Sequence, residues 1–338
     1  MHLVAAPDKL RGTATAADVA AAIGRGARSA GWTCDAAPVA DGGEGTLEAL
    51  GGANRVTTVT GPLGDPVEAA WRYAGSLAVV EMARCSGLDL VGGPEGNDPM
   101  AAATHGTGEL IGAAIDAGCR RVIVGVGGSA STDGGLGALR ALEPLARMRA
   151  VELVVACDVR TRFVDAARVF APQKGATPAQ VELLHRRLQR LAQVYEESYG
   201  VDVRDLVGAG AAGGLAGGLV AAGARLVAGF DVVADELELH DRIDGADLVV
   251  TAEGFLDEQS FEGKVVGGVA ELAVSSGVPV LAVVGELLEG VEVPEGMTVV
   301  SLVERFGEGR ARTETEVCIE AVVAAHLEGA APPDRARG

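Results

Sequence analysis

The sequence predicts an α/β fold with a largely parallel sheet. Three observations carry this. Short apolar runs of strand length recur along the chain, helical patterns alternate with them, and acid- and glycine-rich loops follow several of the runs. No repeat of about 20–50 residues is present, which excludes solenoids and propellers.

Taken in order, residues 2–6 are an apolar strand stopped by Pro7-Asp8. Thr15 and Asp18 form a capping-box pattern that opens an alanine-rich helix running to about Ala30 and closed by Gly31. Residues 33–39 read as a strand, followed by the loop 40–45 and a short helix. Strands are expected over 55–60 and 67–74, around the turn 61–66, and over Leu77–Glu81. A loop over 91–99 precedes a helix over 106–117 and a buried strand over 121–126. The loop 127–135 leads into another helix, and 152–156 is a strand ending at Cys157-Asp158. Thr177, Pro178 and Gln180 give an N-cap, a proline at the first helical position and a capping-box partner. The helix they open carries Val181, Leu184, Leu188, Leu191 and Val194 at helical spacing. Residues 208–223 read as a loop running into a close-packed helix. Beyond it come a strand over 247–251, a loop over 252–263 and a helix from Lys264. Strands over 278–284 and 298–302 follow, and 330–338 reads as a frayed tail.

Composition narrows the function. The chain has 338 residues, 48% hydrophobic and 22% charged, enough for about two domains with real cores. A net charge of −19 argues against nucleic-acid and anionic-membrane partners, both of which need basic surface. No apolar run reaches membrane-spanning length and the first residues carry no signal-peptide pattern, so a cytoplasmic protein is expected. The five cysteines are scattered, with no C-x-x-C pair and no Cys/His cluster, so neither disulfides nor zinc is expected.

Lysine occurs only three times, at Lys9, Lys174 and Lys264, in a chain otherwise supplied with arginine. All three fall in loops, where a compact ammonium on phosphate differs from a guanidinium fork. Ligands of parallel sheets bind beyond the carboxyl ends of the strands. The loops expected there hold Asp8-Lys9 with Arg11, Asp41-Gly42-Gly43-Glu44, Gly127-Gly128-Ser129 with Asp133, Asp158, and Glu253 with Asp257. Glycine admits a phosphate to the backbone, and carboxylates beside it suit Mg²⁺. Helix capping accounts for any one of these loops but poorly for all of them together. No Walker A motif is present, because the Gly263-Lys264 pair lacks the first glycine and the hydroxyl. Gly24-Arg25-Gly26 and Gly208-Ala209-Gly210 are weak dinucleotide signals.

In order and spacing these residues resemble the glycerate kinases of the bacterial glycerate 2-kinase type. The matching stretches include Ala6-Pro7-Asp8, Ala40–Thr46, Glu81-Met82-Ala83, Gly106–Ile111 and Gly127–Gly135. Further on they include Cys157-Asp158-Val159, Pro172–Ala176, Gly208–Gly214 and Glu253-Gly254 with Leu256-Asp257. The resemblance implies two α/β domains, one Rossmann- or flavodoxin-like with a mainly parallel sheet and the other inserted into it. On this reading residues 1–75 and 240–338 form the first and 76–239 the second. It further implies ATP-dependent phosphorylation of D-glycerate to 2-phosphoglycerate, with Mg²⁺, in the interdomain cleft. Within it, Asp41, Lys174 and Asp257 are the expected catalytic residues. Asp8, Lys9, Arg11, Gly42, Gly43, Glu44, Gly128, Ser129, Asp133 and Lys264 are expected to bind substrate or phosphate, and Asp158 and Glu253 to hold metal. The chain departs from the family pattern at Lys9 and Arg11, at Phe255 in place of an arginine, at Glu258, and in a shortened 142–150 segment. These departures leave open a kinase for another small hydroxy acid. A non-catalytic sensor of glycerate or nucleotide is the alternative from a different class.

Overall fold

The computed structural model describes residues 1–10, 12–261, 264–288 and 290–329. Arg11, Gly263 and the expected tail 330–338 lie outside them. The strands are β1 (His2–Ala5), β2 (Thr33–Ala36), β3 (Arg55–Thr60), β4 (Pro66–Ala74), β5 (Leu77–Glu81), β6 (Arg121–Gly125), β7 (Glu152–Ala156), β8 (Arg225–Val227), β9 (Leu248–Leu256), β10 (Val280–Leu287) and β11 (Met297–Ser301). By contact the chain divides into one unit of Met1–Ala40 with Val233–Gly338, and a second of Asp41–Val232.

The first unit holds a wholly parallel sheet in the order β11-β10-β9-β1-β2. Strands are added outward in one direction from β1 to β2 and in the other from β9 to β11, so the topological switch lies between β1 and β9. Leu3, Ile23, Val250, Val283, Ile319 and Val322 belong to its buried core. The helix Ala16–Ser29 starts with the expected capping box, Thr15 and Asp18 capping one another. It packs on the helix Thr315–Gly329 through Gly26, where a Cβ would sit 2.7 Å from the Glu320 carbonyl oxygen. Gly26 therefore has a role in helix packing.

The second unit holds a mixed sheet, β3-β4-β5-β6-β7-β8, with β3, β4 and β5 antiparallel and β5 to β8 parallel. Trp71, Met82, Leu110, Val124, Val155 and Leu219 lie in its core. Residues 55–74, expected in the first domain, hydrogen-bond in this sheet, because β4 pairs with β5 across the tight turn between Ala74 and Leu77. β9 runs on to Leu256, past the expected end at 251, because Phe255 and Leu256 continue the ladder opposite Glu286 and Leu287.

Candidate active site

In the second unit the acid- and glycine-rich loops gather at the carboxyl ends of the parallel strands. Gly127-Gly128-Ser129 follows β6. It is strapped down by the Leu88 N–H on the Gly128 carbonyl at 2.8 Å and the Ala130 N–H on the Ser86 carbonyl at 3.0 Å. The loop 41–45 lies across the ends of β6, β7 and β8. A Cβ on Gly42, whose φ is +83°, would fall 2.6 Å from Gly229 Cα and 2.9 Å from Ala156 Cβ. A Cβ on Gly125 would reach the Gly42 carbonyl oxygen at 2.8 Å. Only glycine allows this approach and this backbone conformation.

Glu81, at the end of β5 and only 2% exposed, anchors the far end of that loop. Its Oε1 accepts the N–H groups of Gly45 and Leu47, both at 2.9 Å, and its Oε2 accepts from Arg84 Nε at 3.1 Å. Sequence reasoning gave Glu81 no role. Asp41 Oδ1 accepts the Gly43 N–H at 3.1 Å. Asp158 Oδ1 accepts the Gly229 N–H at 2.6 Å, at the first residue of the helix Gly229–Glu236. The backbone of Asp41 packs on Gly229 as well, so the Asp41 main chain and the Asp158 carboxylate meet at that residue.

Lys174 ends a 3-10 turn that starts at Pro172, and it is buried, with 2% exposure. Its Nζ donates to Ser129 Oγ at 2.7 Å and to the Ser131 carbonyl at 2.5 Å. Burial pushes its pKa down to about 7, opposed in part by the charge of Asp133. Lys174, Ser129, Gly127, Gly128 and Gln173 line a cavity of about 320 Å³. This is a lysine held beneath a glycine-rich loop, not a solvated surface lysine.

The carboxylate of Asp133 accepts four hydrogen bonds from its surroundings. Its Oδ2 accepts the Thr104 N–H, the Thr104 hydroxyl and the Gly137 N–H, and its Oδ1 accepts the Gly135 N–H. It ties the loop to the starts of two helices, His105–Asp116 and Leu136–Leu142. Capping thus accounts for Asp133 and contributes at Asp158.

The first unit carries the remaining expected residues. The Asp8 N–H donates to the Ala252 carbonyl at 2.9 Å, which places Asp8 beside β9 near Glu253. The Asp8 carboxylate accepts the Lys9 N–H at 2.7 Å. Asp257 Oδ1 accepts the Ser260 N–H at 2.9 Å and so closes its own 3-10 turn. Lys264 is the residue preceding the helix Val265–Ser275. A cavity of about 370 Å³ opens at the β1/β9 switch, lined by Gly12, Thr13, Gly254, Gly285, Glu286 and Arg312 among others. Glu286 and Arg312 belong to no motif and had no signal in the sequence.

Among the described residues no three His, Cys, Asp or Glu side chains group as a metal site. Mg²⁺ beside a nucleotide requires less, one or two carboxylates with phosphate and water oxygens completing the shell. The Asp158 carboxylate, with Asp41 on the loop that packs against the same glycine, offers carboxylates of the kind required.

Comparison with known proteins gives the family of the chain. The model of the glycerate kinase family matches residues 3–145 and 143–317. The chain is 39% identical to a glycerate 2-kinase of Escherichia coli over 335 residues, 87% of each chain. It is 40% identical to a glycerate kinase of Halalkalibacterium halodurans over 332 residues, 86% of this chain and 87% of that one. A crystal structure assigned as glycerate kinase 2 from Salmonella typhimurium LT2 superposes with a TM-score of 0.81 at 34% identity, covering 97% of this chain and 99% of that one.

Proposed function

The chain belongs to the glycerate kinase family, and on that premise we propose that it transfers the γ-phosphoryl group of ATP to the 2-hydroxyl of D-glycerate. The observation that carries the reading is Lys174, whose ammonium rests on Ser129 at the edge of a cavity floored by Gly127 and Gly128. Such a cavity suits phosphate oxygens, with backbone close at hand and a cation behind the hydroxyl. An anion there favours the charged form of Lys174, whose pKa burial has brought to about 7.

Phosphoryl transfer rests on positioning and charge neutralisation. The bond from the γ-phosphorus to the ADP oxygen breaks, the bond to the glycerate oxygen forms, and the hydroxyl proton passes to a carboxylate. Asp41 is our candidate for that carboxylate, on the loop that Glu81 holds across the strand ends. Mg²⁺ bound near Asp41 and Asp158 would neutralise phosphate charge. Glu44, Gly42 and Gly43 share the acidic loop. Asp8, Lys9, Asp257, Glu253 and Lys264 in the first unit keep their proposed roles toward substrate or metal. The nucleotide donor fits a cytoplasmic protein, and among the described residues no helix is long and apolar enough to cross a membrane.

Phe255 is exposed, so a large apolar ring stands at the surface where the family pattern has an arginine. That favours, as a second reading, a substrate carboxylate held differently or a related hydroxy acid. ADP release measured over a panel of small hydroxy acids separates the two. Fastest turnover with D-glycerate and 2-phosphoglycerate as product support the first reading, and faster turnover of another acid selects the second. Ligand-induced stabilisation without turnover would reject both kinase readings.

A further inference from the structure

We propose that the groove between residues 99–102 and the helix Pro178–Tyr199 is a second ligand site, selective for a small amphipathic carboxylate. The groove lies within the second unit and has a volume of about 420 Å³, the size of a small-molecule site. On one face the helix presents a stripe of half-buried Leu191 and Val194, backed by Leu184 and Leu188, which are core residues at 2% and 0% exposure. That face gives a mainly apolar bed for a hydrocarbon tail.

Two observations point to a carboxylate head. Arg187 and Arg190 flank the stripe from exposed positions on the same helix. Arg187 forms no ion pair among the described residues, and its Nη1 donates only to the neutral Met100 carbonyl, at 3.2 Å. Arg190 is bonded to Gln193 at 2.9 Å and lies 3.7 Å from Glu197. The carboxylate of Asp133 also borders the groove, but its oxygens are taken up by Thr104, Gly135 and Gly137. Independently, Thr132 lines the groove, is buried, and has a hydroxyl oxygen with no hydrogen-bond partner among the described residues. A buried hydroxyl left unpaired is costly, and a ligand oxygen or a water carried with it removes that cost.

The groove is distinct from the cavity beside Lys174, yet one loop serves both. Ser129 borders the first cavity, the Ser131 carbonyl holds Lys174, and Thr132 borders the groove. A ligand seated there adjoins the loop that positions the lysine.

The test is calorimetric titration of the full chain with hexanoate, with 1-hexanol as the uncharged probe. Hexanoate should bind with a Kd of about 0.1–10 mM, at least roughly fivefold tighter than 1-hexanol. Arg187→Glu should remove that preference while leaving 1-hexanol binding in place, and Leu191→Trp should abolish binding of both. Arg187 is exposed, so its variant remains informative if the tryptophan variant fails to fold. No hexanoate binding by about 20 mM would overturn the proposal. So would equal binding of the two probes to the unmodified chain, or hexanoate binding unchanged in Arg187→Glu.

Discussion

The Lys174 ammonium lies 2.7 Å from the Ser129 hydroxyl oxygen, buried and, among the described residues, with no carboxylate in direct contact. Such burial ties stability to pH. An unfolded lysine titrates near 10.5, whereas Lys174 in the folded chain titrates at about 7. Between those values the unfolded chain holds one more proton, so stability rises with pH. Below pH 7 both states are charged and the burial penalty is fully present. Above 10.5 both are neutral and it is gone. Urea unfolding of the natural chain and of Lys174→Met at pH 7 and pH 9 should show the natural chain gaining about 2 kcal/mol relative to the variant. An unchanged difference would mean that the lysine stays charged in the folded protein throughout.

The same geometry predicts what charge alone cannot restore. Lys174→Arg keeps the cation but adds volume where the side chain is enclosed, and its planar fork cannot reach Ser129 Oγ and the Ser131 carbonyl in the same way. Turnover of D-glycerate should fall by roughly 10-fold in Lys174→Arg and by 10²-fold or more in Lys174→Ala. Rates within about twofold of the natural chain in both variants would remove Lys174 from the reaction.

Local signals survived the step from sequence to structure best. The boxes Thr15/Asp18 and Thr177/Gln180 cap their helices reciprocally, because every atom involved lies within four residues. Lysine scarcity drew attention to Lys174, but its burial depends on a loop some forty residues away and leaves no local trace. Strand membership fared worse. β3 and β4 read correctly as strands, yet which sheet they join is decided by the partner of β4 and not by their own pattern. The acid and glycine at Glu253-Gly254 looked like the start of a loop, while the ladder to β10 carries them on as strand. Glu81 went unassigned because one acid closing an apolar strand looks the same whether it meets water or the backbone of a loop thirty-five residues earlier.

Asp133 separates a structural acid from a ligand-binding one. Four donors converge on its carboxylate, and two of them fix the start of the helix Leu136–Leu142. In Asp133→Asn an amide NH₂ replaces one acceptor oxygen and faces N–H donors. Chemical denaturation should therefore show a loss of about 2–4 kcal/mol. A variant of unchanged stability with a raised KM for ATP or glycerate would assign Asp133 to ligand binding instead.

Gly42 tests whether the acidic loop must lie across the strand ends for the reaction to proceed. Its φ of +83° is strained for any residue with a side chain, and a Cβ would sit 2.6 Å from Gly229 Cα and 2.9 Å from Ala156 Cβ. Neither neighbour is a flexible side-chain end, so the loop itself has to lift. Lifting it moves Asp41 away from Asp158, while Glu81 still holds the other end at Gly45 and Leu47. Gly42→Ala should therefore cost about 1–3 kcal/mol in stability, and kcat should fall by roughly 10²-fold in a protein that remains folded. Gly52→Ala is the matched control, since Gly52 also has a positive φ, +75°, but open space where its Cβ would go. It should show the conformational cost with near-normal kcat. Equal loss of kcat in both variants would trace the effect to general destabilisation and leave the placement of Asp41 without a part in turnover.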